Sequence, residues 1–228
     1  MNSKDMIVAN NISRIYEVPG GEFKALDNVS ISIPKGCFCI LRGRSGSGKT
    51  TLMNILNTLD APTKGEVFID GNNILELTEK DKENLRRKDF GFVFQAVSLI
   101  PSLNAYQNVE FSLRMAGNKI DKQTNKRVED CLKMVGLGAR MTHMPSEMSG
   151  GEMQRVAVAR AFAHKPKVIF ADEPTAELDS AMASKVTQTF KQMAHDENIT
   201  ILMTTHDVGL MGAADMIIEL ENGVRING

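Results

Sequence analysis

The sequence predicts an α/β protein with a largely parallel central sheet, and three observations predict it. Short apolar, β-branched runs alternate with helical stretches through much of the chain. One such run passes through a Gly-rich loop directly into a helix, and another ends in two adjacent acids. The 228 residues, 42% of them hydrophobic, suffice for one substantial core with a smaller satellite, and are too few for two complete units of this kind.

In order along the chain, MIVANNI, VSISI (29–33) and CFCIL (37–41) read as strands, with turn signals at Pro19-Gly20-Gly21 and Pro34-Lys35-Gly36. They suggest an antiparallel edge leading into the core. CFCIL enters the Gly-rich loop, and in the following KTTLMNILNTLD the residues Leu52, Ile55, Leu56 and Leu59 share one helical face. EVFID (66–70) with Gly71 reads as a strand and turn. The heavily charged residues 78–88 read as a surface helix before the apolar run FGFVF.

From about 102 to 148 the character changes. Val109, Leu113 and Met115, then Val128, Cys131, Leu132 and Val135, fall at helical spacing around Gly117 and Asn118. This is a helical insertion within one domain spanning 1–228. The βα pattern then returns as a helix (152–163), the buried strand VIFA (168–171), a helix (181–194) and the buried strand ITILMTT. MIIEL and GVRI read as a strand and a short terminal strand. No internal repeat or low-complexity segment interrupts this pattern.

Lys and Arg total 27 against 28 Asp and Glu, a formal charge of -1, so no overall attraction to a nucleic-acid backbone is implied. Cys37, Cys39 and Cys131 form neither a disulfide framework nor a metal-spaced cluster; Cys37 and Cys39 are expected on opposite faces of a strand. The N-terminus lacks the apolar core and cleavage site of a signal peptide, and no segment approaches the ~18 consecutive apolar residues of a membrane span. A membrane role would be served from the aqueous side, with the membrane part in another chain.

Gly43-Arg44-Ser45-Gly46-Ser47-Gly48-Lys49-Thr50 satisfies the pattern G-x-x-x-x-G-K-[ST]. Its glycines let successive N–H groups converge on phosphate oxygens, and the helix beginning near Lys49 adds its positive end. Lys49 is expected to reach the β and γ phosphates of a bound nucleotide and Thr50 to ligate Mg2+, a hard, oxygen-seeking ion. In VIFADE, Asp172 leaves the buried strand where a carboxylate can hold that ion or its water. Glu173, directed differently, is positioned to accept a proton from an attacking water. Two acids can also simply end a strand at the surface, an account that loses its force beside a phosphate loop.

With Gln95 in GFVFQ, the stretch Met148-Ser149-Gly150-Gly151-Glu152, the Ala176-Glu177-Leu178-Asp179 loop and His206 in TTHD, the motifs occur in one fixed order. In that order the chain resembles the ATPase domains of ABC transporters over nearly its whole length. The resemblance implies their P-loop NTPase fold, with an antiparallel β-subdomain and a helical subdomain. It also implies two ATP molecules held between two domains arranged head to tail. Ser149, Gly150, Gly151 and Glu152 would then complete the site of a second copy, or of a homologous ATPase domain. By itself Ser149 is a helix N-cap.

The resemblance further makes Tyr16 the ring that stacks on adenine and Gln95 a sensor of magnesium and attacking water. It makes His206 a contact to the γ phosphate beside the Asp179 loop, and gives Asp179 a part in coupling the subunits. Partners implied are integral membrane permease subunits, with the ATPase peripheral on the inner face of the cell membrane. LDAPTKGEVFIDG, FGFVFQAVSLIPSLNAYQNVEF and FADEPTAELDS resemble the subfamily of lipoprotein-release, macrolide-export and antimicrobial-peptide-export ATPases.

Four positions depart from the common pattern. The usual LSGGQ reads MSGGE, Arg44 replaces proline, and Glu177 stands where glycine or asparagine is common nearby. A carboxylate at 152 would weaken closure over a polyphosphate if it pointed inward. The expected function is an ATP-hydrolysing subunit driving a permease for export, extraction or mechanotransmission. The competing readings are a module regulating extracytoplasmic cell-wall enzymes through a non-transporting membrane partner, and a soluble nucleic-acid or translation ATPase.

Overall fold

A computed structural model describes residues 4–227. The hairpin of β1 (Asp5–Val18) and β2 (Gly21–Pro34) turns at Pro19 and Gly20, as the turn signal predicts. With β4 (Lys64–Ile69) and β5 (Asn72–Asn73) it forms a wholly antiparallel sheet in the order β2-β1-β4-β5. Buried and exposed residues alternate along much of β2, as in a sheet with one wet face.

The second sheet is built from β3 (Phe38–Arg42), β6 (Phe90–Val93), β7 (Val168–Asp172), β8 (Thr200–Thr204), β9 (Met216–Glu221) and β10 (Val224–Asn227). Its order is β10-β9-β3-β8-β7-β6, every neighbouring pair being parallel except β10 with β9. Its inner strands are apolar on both faces because both are covered. Phe38, Ile40, Ile169, Ala171, Ile201 and Met203 face the helical layer, while Cys39, Leu41, Phe170 and Leu202 face the antiparallel sheet and α1 (Lys49–Leu56).

Helix α2 (Glu79–Lys88) buries no residue. Thr78 caps it, Oγ1 accepting from the Asp81 N–H at 3.2 Å, with acids in its first turn and bases in its last. Helices α3 (Ala105–Met115), α4 (Lys122–Met134) and α5 (Gly150–Ala163) pack through Val109, Leu113, Val128, Leu132, Val156 and Phe162. Helix α6 (Ser180–Asp196) joins the same core through Val186, Phe190 and Met193. Arg127 of α4 donates to both carboxylate oxygens of Glu197 at 2.6 and 2.8 Å and to the Phe162 carbonyl at 3.0 Å, tying α4 to α5 and to the end of α6. Gly91 lets α5 lie directly on β6, since a Cβ there would collide with the Ala161 carbonyl.

Three local expectations are corrected. Cys37 and Cys39 face the same apolar cluster, as residues two apart in an extended chain must. Leu59 is exposed, because α1 ends at Leu56 and the chain turns before the helical face repeats. Met115, at the end of α3, is also exposed.

Candidate functional site

The parallel strands end together on one side, and there the loops after β3, β6, β7 and β8 enclose a cleft of about 530 Å3. This is the edge at which α/β sheets gather ligand-binding loops. The cleft gathers Gly43, Arg44, Ser45, Gly46, Gly48, Lys49 and Thr50 from the first loop. Gln95, Asp172 with Glu173, and His206 come from the other three. Ser47 is buried behind the loop and does not line the cleft.

Gly48 sits at the N-cap of α1 with φ 97, in the left-handed region, and a Cβ there would lie 2.7 Å from the Ala25 carbonyl. Among the described residues no carbonyl takes the N–H groups of Gly46, Gly48, Lys49 and Thr50. These donors, with the N-terminus of α1, make a concave anion cradle. The Lys49 ammonium donates to the Gly43 and Arg44 carbonyls at 2.8 and 3.0 Å. It is therefore held inside the loop that anionic oxygens would enter.

Thr204, fully buried at the end of β8, fixes the two acids. Its Oγ1 donates to Asp172 Oδ1 at 2.6 Å and accepts from the Glu173 N–H at 2.8 Å. Glu173 has φ 44, a left-handed conformation uncommon for a residue with a side chain. His206 Nδ1 lies 3.4 Å from Glu173 Oε2, with the imidazole largely exposed. That ring thus reaches Glu173, whereas Asp179 caps α6, its Oδ1 accepting from the Met182 N–H at 2.9 Å.

The aromatic residue lining this cleft is Phe23, 54% exposed. Tyr16 faces it across the β1–β2 ladder but does not line the cleft. The Arg14 guanidinium lies over the Tyr16 ring at 4.4 Å, and the phenol donates to Asp60 at 2.8 Å. Arg14 in turn makes a bidentate pair with Asp60 at 2.8 and 3.0 Å.

Ser149, Gly150, Gly151 and Glu152 lie outside the cleft. Ser149 caps α5, its Oγ accepting from the Glu152 N–H at 3.2 Å. Glu152 Oε2 accepts from the Ser149 N–H at 2.9 Å and from its hydroxyl at 3.2 Å. These bonds, the backbone N–H foremost, hold the Glu152 carboxyl below its usual range. Arg140 Nε adds a contact at 3.4 Å to the other oxygen. Behind this corner the buried Gln154 side chain donates to the Pro174 carbonyl at 3.0 Å, strapping α5 to the segment after Glu173.

Thr204, Phe23 and Gln154 escaped the sequence reading. A threonine in a strand is unremarkable by composition, and the other two act through partners distant in the chain.

The cradle suits a polyphosphate. Thr50, Gln95 and the Asp172 oxygen not engaged by Thr204 offer an all-oxygen donor set, which suits magnesium. Among the described residues no three His, Cys, Asp or Glu side chains converge to hold a metal unaided. An ion at this position would complete its shell with nucleotide oxygens and water.

A family profile described as "ABC transporter" matches residues 26–176. An uncharacterized ABC transporter ATP-binding protein of Methanocaldococcus jannaschii is 44% identical over 96% of both chains. Lipoprotein-releasing system ATP-binding protein LolD of Shewanella denitrificans is 36% identical over 97% of this chain and 95% of its own. Macrolide export ATP-binding/permease protein MacB of Syntrophobacter fumaroxidans is 39% identical over 96% of this chain, which spans only 31% of that relative. Among solved structures, a dimeric ATP-binding cassette in a post-hydrolysis state bound to ADP and Pi superposes with a TM-score of 0.90, at 38% identity and 97% coverage of both chains.

Proposed function

Because the chain belongs to the ABC transporter family, as one of its ATP-binding and ATP-hydrolysing subunits, we propose that two copies close head to tail over two nucleotides and drive a separate integral membrane permease. The observation that carries this reading is a division within one chain. Phosphate cradle, acids, Gln95 and His206 share a cleft, whereas the exposed corner at Ser149 and Gly150 lies outside it, where Ser149 caps α5. A second copy supplies that corner with a phosphate to meet.

On this reading Lys49 turns from the Gly43 and Arg44 carbonyls to the β and γ oxygens, and the free loop N–H groups take the remaining anionic oxygens. Magnesium, when bound, supplies charge neutralisation between those phosphates, with Thr50, Asp172 and Gln95 as its protein neighbours. Glu173 takes a proton from water as the water oxygen bonds to the γ phosphorus. The bond to the β–γ bridging oxygen breaks, and ADP and phosphate leave. His206 orients Glu173 and the γ oxygens, and the exposed Phe23 ring on the cleft wall is the surface on which the base stacks.

The names of the macrolide-export and lipoprotein-releasing relatives support a task of export, extraction or mechanotransmission. Among the described residues no helix is long and apolar enough to cross a membrane.

Replacing Glu173 with Gln tests the assignment. Turnover is expected to fall by about a hundredfold or more, with ATP binding retained and an ATP-bound dimer accumulating in size-exclusion chromatography. Turnover at the parent rate would remove Glu173 from the role of base.

A further inference from the structure

Arg44 and Glu177 carry opposite charges on exposed side chains, and among the described residues neither side chain makes a hydrogen bond or an ion pair. Their backbones are nevertheless fixed. The Arg44 carbonyl accepts from the Ser47 N–H at 3.1 Å and from Lys49 Nζ at 3.0 Å, inside the phosphate loop. Glu177 belongs to the turn after the catalytic acids, where Ala176 N–H donates to the Glu173 carbonyl at 3.2 Å and Leu178 N–H to the Thr175 carbonyl at 3.1 Å.

That turn packs directly on the start of α5. A Cβ added to Gly151 would lie 3.1 Å from Leu178 Cδ2 and 3.8 Å from the Glu177 carbonyl, and Gln154 holds the same turn through Pro174. Glu177 and the Ser149–Gly151 corner therefore move as one piece. Whatever phosphate loop that corner closes on, Glu177 closes on as well.

We propose that Arg44 of each copy pairs with Glu177 of the other, forming two equivalent charge locks across the seam. This rests on the head-to-tail reading above, which brings the Ser149 corner of one chain onto the phosphate loop of the other. The contact is isologous, so one rotation axis makes both pairs at once. An exposed pair adds little by attraction alone. Two like charges brought together at a closing seam are much more disruptive, which gives the pairing its power to select register and partner.

The test is a charge-reversal cycle in Glu173→Gln, the background in which the ATP-bound dimer accumulates. Dimer Kd in saturating ATP is measured by analytical ultracentrifugation for Arg44→Glu, Glu177→Arg and the double variant, with ATP affinity of the monomer measured at concentrations too low to dimerise. Each single reversal is expected to weaken dimerisation about tenfold. The double variant is expected to return to within about threefold of the background. High salt should shrink these differences.

A double variant no tighter than the weaker single would overturn the pairing. Because Arg44 lines the nucleotide cleft, the monomer affinities set how much ATP saturates each variant, and dimer Kd values are compared only between fully loaded samples. A background that stays monomeric in saturating ATP would remove the head-to-tail arrangement itself, an outcome distinct from a dimer that forms but ignores the reversals.

Discussion

The buried hydroxyl of Thr204 donates to Asp172 and accepts from the N–H of Glu173, so a side chain outside the chemistry sets the angle between two acids adjacent in sequence. Sequence made the acids conspicuous because they interrupt an apolar run. It could not reveal Thr204, whose β-branched shape suits a strand equally well without that duty. The base end of the cleft is similar: Tyr16 stands out by resemblance, yet Phe23 is the ring on the cleft wall, brought there by hairpin register. Stacking of a base on an aromatic ring contributes about 1–3 kcal/mol. Phe23→Ala is therefore expected to weaken ATP binding about tenfold, leaving tripolyphosphate, which has no base, unaffected in calorimetric titrations. Equal loss for both ligands would mean that the phosphate loop itself had been disturbed.

Contact between β6 and α5 depends on one missing side chain. Gly91 faces the Ala161 carbonyl so closely that even a methyl group must push helix and strand apart. Gln95 follows β6 and Ser149 heads α5, so this junction joins the segment reaching into the cleft to the segment offered to a second copy. Gly91→Ala is expected to cost about 1–3 kcal/mol of stability, measured by urea unfolding. An unchanged midpoint would mean that the junction can open without strain. Helix and strand identities were legible here because apolar periodicity is local, whereas the close approach was not. A glycine in FGFVF reads equally well as a weakness in a strand.

Across the whole molecule, the central strands are shared by the two apolar clusters, with alternate residues of β3, β7 and β8 belonging to opposite sides. Melting either layer exposes one face of the same sheet, so the layers are expected to unfold together. The chain contains two tyrosines and no tryptophan. Tyr16 lies in the antiparallel sheet and Tyr106 in α3, on opposite sides of those strands. In Tyr16→Phe and Tyr106→Phe, the fluorescence of the remaining tyrosine should follow the same urea transition as far-UV circular dichroism. Two separated transitions would indicate that the helical layer melts independently. The parallel core was legible because strands covered on both faces are apolar throughout. The direction of Cys37 and the end of the Leu59 face were not, since each depends on where an element begins or stops. Burial holds the thiols of Cys37 and Cys131 up to about 11 and drives Cys39 up as well. At neutral pH the folded chain is therefore nearly silent toward maleimides and other thiol-directed reagents. A spectroscopic label or crosslinker can be installed at a single introduced surface cysteine without first stripping out the native ones.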